Sequence, residues 1–538
     1  MTAPDATPFG TLDDDHDAAL DALDAAGRVD DAFRDRFEAH FPRLHASVTQ
    51  LYPAHPERQA VLADLVVRAS ASWNARPLDL KVRDGQHLAH PDRLTSERML
   101  GGACDAGRYG GNLAGVGDQI PYLRELGLTY LHLLSLFEDG EDVEVRVDPG
   151  LGTLDRLGEL AADLRLAGIS LGVDVPAPAG VALDGPEALG ALARVMLLLA
   201  NRGAEVLRID APASVGADAS PARGALLVSA LDAVRAMAAP GTVLSASVSG
   251  GGLVDDDLPA TLVWEALATG DGRLTQRALD RRAAQPDDAT RVTSVRSQDA
   301  LRWGFSDEDA AALGIDAAAH RRFLTDFYTG VTADAFARGL RVEGAGADGP
   351  AVAGTTASLA GVEAEDAGGE DRVVLAHALA LSAGGLPVLW LGDEVAQLND
   401  YSCADDPERR DDVRWVHRGH RPRDRYAARH DDRTAAGRIH RRLTKLVSVR
   451  QATPELAGGE VIGFHTPHTS VIGYQRPAGD RRVLVLANVG TEEVTVDPLT
   501  LSGFERIARD LLHECDVDLD EGVTLPPLGV TWLRVSPL

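Results

Sequence analysis

The chain has 538 residues, with 53 Lys and Arg against 82 Asp and Glu, giving a formal net charge of −29. A chain of this length can bury most of its surface without disulfides or metal, and its hydrophobic and charged fractions, 45% and 25%, are those of a globular protein. Such acidity, with no basic stripe to offset it, argues against nucleic acid and anionic membrane as partners. Residues 1–95 read as a helical N-terminal domain: AFRDRFEAHFPRLHASVTQLY and RQAVLADLVVRASASW carry apolar residues at three-to-four spacing, punctuated by Pro53, Pro56 and Pro77. From Gly101 onward, short apolar runs alternate with amphipathic helices. Strands are expected at 129–134, 169–175, 204–211, 242–248, 291–297 and 386–392. The repeated strand–helix–strand order argues for a parallel sheet closed into a (β/α)8 barrel over about 96–457. Residues 304–375 break that rhythm and read as an insertion after strand 7. Residues 458–538 alternate apolar and polar positions between turns, which predicts a small antiparallel C-terminal β-sandwich.

Only Lys81 and Lys445 are lysines, so the arginine richness reads as codon bias, not as a binding surface. Cys104, Cys403 and Cys515 are far apart and odd in number. They suggest a reducing compartment and no metal cluster. The acidic start has no signal-peptide pattern, and no apolar run reaches the 18 or so residues of a membrane span. A cytoplasmic location is expected. His417 and His420 stand near each other only in an Arg-rich loop, and no metal or other cofactor is implied.

GGNLAGVGDQIPYLRELGLTYLHLLSLF (110–137), LLLANRGAEVLRIDA (197–211), SVRSQDALRWGFSDEDAAALGI (294–315), GGLPVLWLGDEVAQLND (384–400), DDVRWVHR (411–418) and TAAGRIHRRLTKLVSVRQATPEL (434–456) occur in that order. Together they resemble glycoside hydrolase family 13, the α-amylase family, and within it the amylosucrases. With the helical N-terminus the likeness covers nearly the whole chain. It implies a retaining mechanism: one carboxylate attacks the anomeric carbon of an α-glucoside while a second carboxyl, about 5–5.5 Å away, protonates the leaving oxygen. By this resemblance Asp210 takes the nucleophile position, Arg208 orients it, and Asp299 stabilises the transition state. Gln298 stands where the family has a sugar-binding histidine, Arg414 matches a substrate-side arginine, and Asp174 keeps the aspartate after strand 3.

Other positions depart from the pattern. Ser247 stands where the family has its acid/base glutamate, and a hydroxyl is no general acid near neutral pH. Losing that role costs about 10²–10⁴ in rate. Asp255, Asp256 and Asp257 read as loop carboxylates, and Glu265 as a helix-surface one. The histidine expected after strand 3 is Ala179, and the tyrosine and aspartate expected after strand 2 are absent from EDGEDVEVRVDP. Between Asp174 and Asp210 there is room for a helix, a strand and a short loop, but not for the cleft-closing domain the family inserts there. The expected function is therefore a catalytically impaired or inactive relative that retains binding of a small carbohydrate or a protein partner. One alternative is an active hydrolase or transglucosylase acting on sucrose or α-glucan with Asp210 as nucleophile. The other is a non-catalytic scaffold.

Overall fold

The computed structural model describes residues 11–538 apart from 28, 54, 139–144, 178–184, 211–219, 249, 251, 285–288, 298, 344–348 and 408. Gln298 and Ala179 thus lie outside the described residues. Eight strands, β1 (Gly101–Asp105), β2 (Tyr130–Leu134), β3 (Ser170–Asp174), β4 (Val206–Ile209), β5 (Val243–Ala246), β6 (Leu253–Asp256), β7 (Thr290–Thr293) and β10 (Leu386–Trp390), form a closed barrel. Around it runs the order β1-β10-β7-β6-β5-β4-β3-β2. Strands from β2 through β6 pair in parallel with their neighbours, for example Asp174 with Arg208 and Arg208 with Ser245. Two further strands, β8 (Leu340–Val342) and β9 (Ala351–Ala353), pair as a separate antiparallel hairpin in the segment between β7 and β10.

The chain divides into two compact units, one of Met1–Arg93, Asp105–Ile120 and Tyr130–Asp255, the other of Leu94–Cys104, Pro121–Thr129 and Asp256–Leu538. In the first unit, helices Leu12–Ala26, Asp31–Leu51, Arg58–Ala75 and Leu78–Leu88 open the chain. The first begins in a capping box, Thr11 with Asp14, and the second is capped by Asp30. The second buries Phe33, Phe37, Phe41, Leu44 and Val48, the stripe its periodicity requires. It is fastened to helix Pro221–Ala238 by Arg36, which donates to the Met237 carbonyl at 2.8 Å, and by the Ser47–Ser229 hydroxyl pair at 3.0 Å.

Two barrel strands escape the sequence reading, β1 and β6. The second of these changes the architecture. Only residues 247–252 separate β5 from β6, although the two pair in parallel, Ser245 with Leu253 and Ala246 with Val254. Such a connection normally takes a dozen or more residues including a helix. Among the described residues no helix lies between β5 and β6, and glycine at 250 and 252 suits so tight a passage. Gly250 sits at φ +135°, and a Cβ on Gly252 would lie 2.6 Å from Val243 Cγ1.

In the second unit, helices Leu258–Thr269 and Arg273–Ala284 follow β6. The segment between β7 and β10 carries helices Asp307–Ala312 and Ala317–Tyr328, the β8–β9 hairpin and helix Thr356–Ala360; helix Gly369–Ser382 then leads into β10. Helix Ala435–Gln451 precedes the C-terminal strands. Those strands form a six-stranded antiparallel sheet and a two-stranded one, Val494–Val496 with Val523–Leu525. Val471, Leu484, Leu486 and Leu533 from the larger sheet share one core with Val496, Val523 and Leu525 from the smaller, as a sandwich must. No helix of the described residues is long and apolar enough to cross a membrane.

Candidate functional site

Active sites of such barrels lie at the C-terminal ends of the strands, and in the first unit a continuous polar chain runs to those ends from the start of β2. It begins on β2, where Tyr130 and His132 stand in an otherwise apolar strand. The Tyr130 hydroxyl lies 2.6 Å from His132 Nδ1, and His132 Nε2 lies 2.9 Å from Asp174 Oδ1 at the end of β3. With Nε2–H donated to Asp174, Nδ1 accepts the Tyr130 O–H, so a neutral imidazole satisfies both neighbours. Asp174 Oδ1 is also 3.5 Å from the Arg208 guanidinium on β4. Arg208 Nε donates at 2.7 Å to Asp255 on β6, and Ser245 on β5 donates to the other oxygen of Asp255 at 3.1 Å.

The electrostatics follow from this sharing. Burial alone would raise the Asp174 carboxyl, but the His132 hydrogen bond and the Arg208 charge outweigh it and hold it below the usual carboxylate range. Burial works against the Arg208 charge, yet Asp255, Asp174 and Asp210 together push its pKa up. Burial, with Asp255 and Asp174 nearby, pushes the Tyr130 phenol well up, so it stays protonated as a donor.

Asp210 follows β4 directly and is exposed. It lies within electrostatic reach of Arg208. Ser247 follows β5 and is also exposed. Because Arg208 pairs with Ser245 and Ile209 with Ala246, Asp210 and Ser247 are the next residues on adjacent strands. The structure therefore brings Asp174, Arg208 and Asp210 together, with Ser247 at the same level. Tyr130, His132, Ser245 and Asp255 are additions the sequence reading did not select. A lone histidine in the apolar run TYLHLL was a usable signal for the first pair. Asp255 gave none, since it was read as a loop residue and is a strand residue.

In the second unit, Asp299 follows β7 and meets Arg414 at 3.4 Å and Arg418 at 3.6 Å. Arg414 is held more tightly by Asp412, Nε to Oδ1 at 2.8 Å. Beneath, Arg296 pairs with the fully buried Asp393 at 3.1 Å, and Thr356 donates to the same carboxylate at 2.7 Å. Asp256, expected in a loop, is buried at the end of β6 and bound by Arg282 at 2.6 Å. Glu265 corrects a second expectation: it is buried, not on a helix surface, and 2.8 Å from His320 Nε2. Its burial pushes its pKa up.

No protein-family model matches the chain. Among solved structures, an AmyP variant in complex with maltotriose covers 83% of this chain with 99% of its own, at TM-score 0.58 and 14% identity. The cyclic α-maltosyl-(1→6)-maltose hydrolase of Arthrobacter globiformis in its ligand-free form covers 83% with 99% of its own, at TM-score 0.57 and 16% identity. An α-amylase from Geobacillus thermoleovorans in complex with acarbose covers 82% with 99% of its own, at TM-score 0.53 and 14% identity. The chain has the fold of the α-amylase family. Sucrose 6F-phosphate phosphorylase from Thermoanaerobacter thermosaccharolyticum also shares it, at TM-score 0.57 and 12% identity over 74% of this chain and 95% of its own. By sequence, the glucosylglycerate phosphorylase of Escherichia coli (strain K12) is 27% identical over 165 residues, which is 30% of this chain and 28% of that enzyme. The resemblance read from the segments between 110 and 456 therefore holds at the level of the fold.

Proposed function

We propose that this chain is an α-amylase-family protein of carbohydrate metabolism that binds an α-glucoside at Asp210 and Arg208 but turns it over poorly or not at all. The observation that carries this reading is the sharing of Arg208. One guanidinium is shared among three carboxylates, Asp174, Asp255 and Asp210. In a retaining site that arginine would be given over to orienting the nucleophile. With Ser247 at the acid position, leaving-group protonation is missing too, and transition-state stabilisation is lost from both sides. The α-glucoside ligand is supported by the maltose, maltotriose and acarbose complexes of proteins sharing this fold.

The exposed Asp210 carboxylate favours a second reading, an enzyme that needs a donor with a good leaving group. α-Glucosyl fluoride separates the two, because fluoride departs with little protonation. The proposal predicts no fluoride release above background, and a melting temperature raised by maltose through binding. Fluoride release that vanishes in Asp210→Asn would overturn the proposal in favour of the second reading.

A further inference from the structure

Away from the barrel strands, a cavity of about 520 Å³ opens where helices Gly369–Ser382 and Ala435–Gln451 meet the C-terminal sheets. That volume is in the range of small-molecule sites. Its floor is aliphatic, with Leu375, Leu446, Leu512, Val523, Leu525 and Leu533 among the lining residues. Among the described residues no Phe, Tyr or Trp lines it, so it lacks the large aromatic face on which a sugar ring stacks.

The rim is charged. Arg442 Nη1 is 2.7 Å from Asp371 on the neighbouring helix, and Lys445 reaches Glu514 at 3.5 Å; all four side chains remain partly exposed. Asp510 is the buried anchor. It accepts from the backbone N–H groups of Leu512 and His513, from the Thr531 hydroxyl at 2.7 Å and from His513 Nδ1 at 2.8 Å. Its hydrogen bond pushes the His513 pKa up and favours the imidazolium. The lining carries Arg442, Lys445 and His513 beside Asp371 and Asp510, with Glu514 against Lys445 at the rim, in a molecule whose net charge is −29.

The backbone supplies an independent observation. Five non-glycine residues among those described have left-handed φ, and two of them belong to this cavity or its rim: Leu528 at +55° in the lining loop Pro526–Gly529, and Glu514 at +57° beside His513. A bulky residue such as leucine is held there only when its surroundings demand it, a pattern that concentrates at ligand clamps.

We infer that this cavity binds a small amphipathic anion, with its carboxylate or phosphate head on Arg442, Lys445 and His513 and a short alkyl tail on the aliphatic floor. The probes are octanoate and octyl phosphate, with octanol and inorganic phosphate as controls, titrated calorimetrically into the full chain. One-to-one binding of either anion, at least about tenfold tighter than octanol, supports the site, and the tighter of the two names the head. The pair Arg442→Gln and Lys445→Gln should weaken that binding about fivefold or more without moving the melting temperature of the unliganded chain. Octanol binding as tightly as octanoate, binding untouched by the double substitution, or no saturable binding by about 10 mM would each overturn it.

Discussion

Arg208 is the residue on which the first unit's chemistry turns. A guanidinium has five donors in a planar fork and suits bidentate partners, yet here its Nε goes to Asp255 and an Nη lies 3.5 Å from Asp174. Three carboxylates around one cation leave the site anionic. That surplus of negative charge disfavours a ligand that brings another carboxylate. Asp255 is thus a structural partner of Arg208 and Ser245. Asp255→Asn should cost about 1–3 kcal/mol, because Arg208 loses its shortest ion pair while partly buried. Chemical denaturation against the parent chain checks this, and an unchanged midpoint and slope would show that the pair contributes nothing.

At the scale of elements, the connection from β5 to β6 shows how a short segment can reset a site. With only residues 247–252 between them, β6 lies beside β5 in the barrel, and this places Asp255 against Arg208. Strand β6 is four residues long and follows no helix, so neither periodicity nor the strand–helix alternation announces it. The β3, β4 and β5 ends were legible because each strand follows a long helix and has a polar residue at its end or directly after it, Asp174, Asp210 and Ser247.

A different contact fastens helix Ala317–Tyr328 to helix Leu258–Thr269. Glu265 reads as a surface acid because its partner, His320, comes 55 residues later in an inserted segment. The raised pKa of Glu265 fixes the sign of its pH effect. Its stabilising contribution is fully present below the ordinary glutamate value of about 4.3 and is lost as pH rises through the higher folded value. The variant Glu265→Gln should therefore show a flatter decline of melting temperature across that window than the parent. Melting curves from pH 4 to 8 would reveal it, and parallel curves would refute the assignment.

At the scale of the molecule, barrel, insertion and C-terminal sandwich were all readable, because they rest on long-range alternation of apolar runs that single substitutions do not erase. Of the polar clusters, the sequence pointed to Asp174, Arg208 and Asp210 in the first unit and to Asp299 and Arg414 in the second. The residues that distinguish this chain, Asp255 and His132 above all, gain their meaning from neighbours on other strands. A barrel fold can persist while its chemistry decays, since the core and the strand ends answer to different demands. Steady-state release of glucose or fructose from sucrose by the purified chain tests this most directly. The account predicts a turnover number well below the ordinary enzymatic range of about 1–10³ s⁻¹. Turnover within that range, abolished by Asp210→Asn, would contradict it.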